Sequence, residues 1–180
     1  RVNSGIFPEV AGMERVEILK GGAAILYGNV APGGIMNMIT KKPIFNQGGS
    51  VTVSTGSWDN YKTTLDFYDA LSKSSAFRVN GAFEDKASFR DKVTSQKYYF
   101  NPSFLFNISD KTQLIVEGDY LKNDFTPDFG VGTLVLDTKT SRSVINDLID
   151  IRKNPASDFH FFYTQMATSK VTLNHQINNN

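Results

Sequence analysis

From residue 48 onward the chain is written in period two, and that rhythm confines it to extended strands with one apolar and one polar face. Successive side chains of a strand point to opposite sides. Val51, Val53 and Thr55 therefore share a face, and past a tight turn at residues 56–60 Tyr61, Thr63, Leu65 and Phe67 oppose Lys62, Thr64, Asp66 and Tyr68. A third segment sets Phe77, Val79, Gly81 and Phe83 against Arg78, Asn80, Ala82 and Glu84. A fourth sets Tyr98, Phe100, Pro102, Phe104 and Phe106 against Tyr99, Asn101, Ser103 and Asn107. The fifth has Leu114, Val116, Gly118 and Tyr120 opposite Gln113, Glu117 and Asp119, with Ile115 and Leu121 interrupting its polar side. A sixth, near residues 165–176, alternates Val171, Leu173 and His175 with Lys170, Thr172 and Asn174. Pro102 would demote a central strand of a soluble sheet, because it brings no N–H to the ladder.

Two architectures carry such alternation. A soluble β-sandwich turns the apolar faces inward, whereas a transmembrane barrel turns them to lipid and the polar faces to a wet lumen. No apolar run reaches the roughly 18 residues of a membrane helix. The 14 Phe and 7 Tyr suit barrel strands, and Tyr68, Tyr98, Tyr99 and Tyr120 fall near strand ends, where aromatic girdles sit. Connection lengths lean the same way. Links near residues 71–75 and 109–111 are short, residues 85–96 form a longer one, and residues 122–163 form a long one, as expected of short turns on one side of a membrane and loops on the other.

The stretch at residues 14–43, ERVEILKGGAAILYGNVAPGGIMNMITKKP, has a different grammar. Residues 15–18 alternate as a short strand, Gly21 and Gly22 break it, and residues 23–27 suit a turn and a half of helix closed by Gly28. A loop holding Pro32, Gly33 and Gly34 follows, and residues 35–40 resume as an apolar strand ending in Lys41, Lys42 and Pro43. The residues Glu14, Arg15, Val16, Glu17, Lys20, Gly21, Leu26, Tyr27, Gly28, Pro32, Gly33, Gly34, Asn37, Thr40, Lys41 and Pro43 together resemble the C-terminal part of the plug domain of TonB-dependent outer-membrane receptors, the ferric-siderophore type most closely. Gly22 departs from the family's usual proline. The resemblance continues through Gly56-Ser57-Trp58-Asp59, Ser88-Phe89-Arg90-Asp91, Asn101-Pro102-Ser103 and Thr126-Pro127-Asp128-Phe129-Gly130.

The fold so implied is mainly β: residues 1–43 the C-terminal part of a plug, residues 44–180 the first six or so antiparallel strands of a 22-stranded transmembrane β-barrel. The start at Arg1 without methionine or signal segment, and the stop at Asn180, read as a piece of a longer chain. The function implied is TonB-dependent uptake of ferric siderophores across the bacterial outer membrane. Iron would travel inside the chelate, with no resident cofactor or metal. Implied partners are the siderophore, outer-membrane lipid and the TonB complex, the last through an upstream segment, and the state implied is a monomer. Another TonB-dependent cargo, cobalamin or an oligosaccharide, is the alternative within transport; a soluble β-sandwich binding module is the alternative outside it.

Ligand contacts are expected from Arg1, Asn3 and Phe7 in apical plug loops, and from Trp58, Phe89, Phe125 and Phe129 with Arg90 and Arg142 in outer loops. Glu14, Arg15, Glu17 and Lys20 are expected to face the barrel wall, meeting residues such as Arg78, Glu84, Glu117 or Asp119 across a wet interface. Tyr27, Gly28, Pro32, Gly33, Gly34 and Asn37 complete the plug motif.

Other chemistries lack their residues. A net charge of +1 gives no polybasic field for nucleic acid, and without cysteine there is no thiolate nucleophile, thiolate metal site or disulfide. His160 and His175 stand 15 apart without the spacing of a zinc hydrolase, and residues 28–34 lack the Lys-Ser/Thr ending of a phosphate-binding loop. Asp137, Asp147, Asp150 and Asp158 either gather around a cation or keep a long loop soluble. An enzyme is not expected.

Overall fold

The structure, a computed structural model, describes residues 8–20, 35–130, 133–137, 142–145, 149–156 and 159–177. The helix expected at residues 23–27 lies outside them. Among the described residues every regular element is a strand: β1 (Met13–Leu19), β2 (Ile35–Thr40), β3 (Gly48–Gly56), β4 (Asn60–Ser72), β5 (Ser75–Ala87), β6 (Thr94–Ser109), β7 (Thr112–Phe125), β8 (Thr133–Asp137), β9 (Arg142–Ile145) and β10 (Phe162–His175). Six of them form one antiparallel sheet in the order β10-β7-β6-β5-β4-β3: from β3 to β7 short connections return the chain beside itself, and the long link after β7 leads to β10 at its side. The pair β1–β2 and the hairpin β8–β9 stand as separate two-stranded sheets.

The alternation falls on the faces as the sequence indicates, and its polarity excludes a sandwich. On β4 every apolar residue of Tyr61, Leu65 and Phe67 is exposed while Lys62, Thr64 and Asp66 are partly covered. On β6, Phe100 is 49% exposed and Asn101 2%. A water-soluble sandwich would bury the first and expose the second. Here the polar face carries the sheet's contacts, and the apolar face, from Val51 and Val53 across to Leu173, is exposed among the described residues. Such a sheet is stable where hydrocarbon bathes the outer face.

Strands of 13 to 16 residues exceed the roughly 9–11 that a bilayer crossing requires, so in a membrane their ends would stand in water. The ladder persists there although the alternation fades: β5 runs to Ala87 and β6 begins at Thr94, so the link expected over residues 85–96 shrinks to residues 88–93. The long link likewise begins only after Phe125, ends before Phe162, and contains the unforeseen hairpin β8–β9.

Pro102 sits in an interior strand nonetheless. Its ring packs against the position of Gly118 on β7, where a side chain would crowd it at 3.3 Å. The Gly118 carbonyl takes instead a hydrogen bond from the Asn101 side-chain amide, 2.6 Å long, which supplies a donor where proline has none. Ile115 and Leu121 are buried on the polar face, and Leu121 joins Ala82 and Tyr99 in a small apolar cluster beneath Ala11.

Candidate functional site

The polar face of the six-stranded sheet meets the β1–β2 unit at the unit's root, the end where the chain enters β1 and leaves β2. There Lys41 donates its backbone N–H to the Gly12 carbonyl at 2.9 Å. Gly12 is buried, and a Cβ added to it would overlap the Tyr99 hydroxyl. Two ion clusters flank this point.

The first centres on Glu9, 3% exposed. Its Oε1 accepts the backbone N–H groups of Val10 at 3.0 Å and Ala11 at 3.2 Å and the Lys62 ammonium at 2.8 Å. Lys97 stands 3.7 Å from its other oxygen. Glu84 ties these lysines together, with Lys86 at 2.7 Å and Lys62 and Lys97 each at 3.6 Å. All three lysines lie on the polar face because they occupy the same strand parity as Asp66, Arg78 and Asn101.

The second cluster receives residues 40–42. Arg78 forks onto Asp66 with bonds of 2.7 and 2.8 Å and reaches the Lys42 carbonyl at 3.1 Å, while Lys41 joins Asp66 at 2.9 Å. The Lys42 ammonium meets Glu117 at 2.7 Å and the Thr40 hydroxyl donates to the same carboxylate at 2.6 Å. Planar Arg-carboxylate forks fix orientation as well as charge. Asp119 accepts the Tyr99 hydroxyl at 2.8 Å.

The four wall residues Arg78, Glu84, Glu117 and Asp119 thus all lie on the polar face, and the first three are ion-paired there. From the β1–β2 side, Lys42 reaches Arg78 through its carbonyl and Glu117 through its ammonium, Thr40 bonds Glu117, and Glu14 of β1 acts on Arg78 through its charge, while Glu9 and Lys41 meet the neighbouring Lys62, Lys97 and Asp66. Arg15 pairs with Glu17 at 2.7 Å along its own strand, Glu17 accepts the Asn37 amide at 2.9 Å from β2, and Glu14 and Lys20 are exposed. The Arg15 guanidinium draws the Glu17 carboxyl below its usual range, helped by Asn37. Glu9 gave no sequence signal beyond a lone carboxylate in an irregular segment; Lys62 and Lys97 could have been found from strand parity alone.

At the long-loop end, just beyond the first cluster, the expected aromatics fall into two groups. Trp58, held at positive φ in the β3–β4 turn, lies 6.0 Å from the Phe89 ring, and the Arg90 guanidinium covers Phe89 at 5.1 Å. Arg90 is anchored by Asp128 at 3.0 Å and by the Ile151 carbonyl at 2.7 Å. Phe125 instead stacks on Phe162 of β10, with centroids 5.4 Å apart, and Phe129 meets the edge of His160. Arg1, Asn3, Phe7, Tyr27, Gly28, Pro32, Gly33 and Gly34 lie outside the described residues, as do the side chains of Arg142 and Asp137. Asp150 is bound to Arg152 by bonds of 2.7 to 3.2 Å, which hold its carboxyl down at about 2.

No protein-family model matches the chain. Among curated proteins it is 42% identical over 118 residues to the metal-pseudopaline receptor CntO of Pseudomonas aeruginosa, covering 64% of this chain and 17% of that protein. Among solved structures it superposes on the ferric-catecholate import receptor Fiu of Escherichia coli with a TM-score of 0.84 at 28% identity, covering 95% of this chain and 25% of the other. The crystal structure of the ferripyoverdine receptor of the outer membrane of Pseudomonas aeruginosa, bound to ferripyoverdine, matches with a TM-score of 0.81 at 28% identity over 92% of this chain and 22% of that one. The chain therefore spans about a sixth to a quarter of the proteins it matches.

Proposed function

The chain's homologues and structural neighbours are TonB-dependent siderophore receptors of the outer membrane, and from that kinship we propose that it forms part of a transporter that takes up ferric siderophores. In this reading β3 to β7 and β10 are six neighbouring strands of the barrel wall, and β1–β2 belongs to the plug in the lumen. Residues 41–43 are the passage from one to the other. One observation carries the reading: a sheet with its apolar face bare and its polar face ion-paired to a separate β-unit. An unpaired strand edge in hydrocarbon is costly, so β3 and β10 require further strands beside them.

The charged root suits a plug that must shift. A wet ionic contact can exchange its partners for water, whereas a charge stranded in a dry core costs several kcal/mol. Transport in this account involves no covalent chemistry and no resident cofactor, and the receptor acts as a monomer energised by TonB. The iron chelate is cargo.

The test is growth of a strain lacking the full-length receptor under iron limitation, on a panel of ferric siderophores. Loss of growth on one chelate, restored by the gene, is the expected result; growth unaffected on every chelate would overturn the siderophore reading. The resemblance to a metal-pseudopaline receptor favours including chelates of other transition metals in the same panel.

A further inference from the structure

Where the β1–β2 unit meets β7 and β10, the two sheets enclose a cavity of about 290 Å³. Three of the chain's four methionines line it, each from a different strand: Met13 of β1, Met38 of β2 and Met166 of β10. Strand phase brings them together. Met13 is paired with Thr40 in the β1–β2 register, and Met38 shares a face of β2 with Thr40, whose hydroxyl reaches Glu117 on the wall. Met166 is paired with Leu121 and so lies on the polar face of the six-stranded sheet, beside Glu117 and Asp119. A methionine that serves as packing bends to fill the gap next to it. Three of them here leave the gap open.

The carboxylates in the lining are short of cations. Glu117 is 6% exposed; its Oε1 takes the Thr40 hydroxyl and the Lys42 ammonium, whereas its Oε2 accepts no hydrogen bond and stands 3.6 Å from the exposed Lys170 ammonium. Asp119 accepts the Tyr99 hydroxyl and, among the described residues, has no cation beside it. Both carboxylates border the cavity. The sulfurs decide which cation suits it. Thioethers are soft ligands that select ions such as Cu(I), while magnesium and calcium demand oxygen. Among the described residues no three of His, Asp and Glu gather to hold a harder ion.

We infer that this cavity is a binding site for a soft monovalent metal ion of the Cu(I) kind, with the Met13, Met38 and Met166 thioethers as its ligands and Glu117 and Asp119 as its counter-charge. The ion enters and leaves as the monovalent cation, so no redox step is involved. It is separate from any chelated cargo. With two ligands on the β1–β2 unit and one on β10, the bound ion links the two sheets at a point apart from the ion pairs of Glu9 and Asp66.

The experiment uses the full-length receptor in detergent, isotope-labelled at the methionine methyl groups, and silver nitrate in chloride-free buffer as a soft, monovalent probe that air does not oxidise. The methyl signals of Met13, Met38 and Met166, assigned by Met13→Leu, Met38→Leu and Met166→Leu, move together as one site fills. That of Met36, on the same strand as Met38 but outside the lining and 53% exposed, stays in place. Leucine keeps the volume of methionine, so the variants retain the fold, as heat-modifiable migration checks. Each weakens silver binding at the two remaining methionines by roughly tenfold or more, since even an outer-shell partner is worth that much to a metal site. Asp119→Asn, which keeps an acceptor for Tyr99, weakens it as well. Signals that move at separate silver concentrations, or a Met36 signal that moves with them, show independent thioethers and overturn the site. So does indifference of two methionines to loss of the third. Movement of the same signals by zinc at equal concentration overturns the soft-ion class, and unchanged affinity in Asp119→Asn overturns its part as counter-charge.

Discussion

Glu9→Ala removes the centre of the first cluster and is the sharpest perturbation of the root of the β1–β2 unit. Three hydrogen bonds are lost, two from the Val10 and Ala11 amides and one from Lys62, and Lys97 loses one of its two carboxylate partners. Breaking a buried ion pair from one side costs about 3–5 kcal/mol, but Lys62 is 28% exposed and keeps Glu84, so about 3 kcal/mol is the better figure. That corresponds to roughly a hundredfold rise in local opening. Hydrogen exchange of the full-length receptor, read at Val10, Ala11 and Met13, measures it directly. Met13 serves because its amide bonds to the Val10 carbonyl. Heat-modifiable migration on gels should be unchanged, since no ladder bond of the six-stranded sheet is touched. Unchanged exchange at those three amides would refute the role given to Glu9, and loss of heat-modifiable migration would mean that Glu9 holds the wall rather than the root.

Phe104→Lys places a charge on the bare apolar face; it should destabilise folding into vesicles by about 2–4 kcal/mol if Phe104 sits near the bilayer midplane, measured by denaturant titration. Gly12→Ala forces a Cβ into the Tyr99 hydroxyl and should destabilise the root by about 1–3 kcal/mol, seen as faster exchange at Lys41, whose amide bonds to Gly12. In the long loop, Asp150 has its carboxyl depressed from 3.8 to about 2 by Arg152, so what the pair contributes to loop order is complete above about pH 4 and is lost as pH falls through 2. Limited proteolysis by an acid-active protease should find the loop no more open at pH 4.5 than at pH 7, but more open at pH 2; Asp150→Asn should remove that difference.

The strand phases were legible because period two survives any uncertainty in where a strand begins: Lys62, Asp66, Arg78, Glu84, Glu117 and Asp119 each lie on the face their parity assigns. The strands β1 and β2 were legible as an alternating run at residues 15–18 and an apolar run at residues 35–40, but not their pairing with each other. What parity cannot reveal is which charge on one sheet meets which on another. Arg15 and Glu17 form their pair within the β1–β2 unit, and the ion pairs to the six-stranded sheet fall to Glu9, Lys41 and Lys42, where the chain is irregular and carries no period. Strand ends were misjudged for a related reason. Beyond the lipid, Lys86, Asp85, Gln96 and Asp124 sit on either face at little cost, so the ladder outlasts the pattern.

In the proposed receptor the apolar face of the six-stranded sheet looks into lipid and its polar face into a lumen holding β1–β2. Because the chain has no cysteine, single cysteines can be placed along β6 of the full-length receptor in bilayers and spin-labelled without background from this region. The account predicts a period of two: labels at Tyr98, Phe100, Phe104 and Phe106 relaxed by oxygen dissolved in the hydrocarbon, and labels at Tyr99, Asn101 and Ser103 shielded from it. The opposite phase, or no alternation, would contradict it.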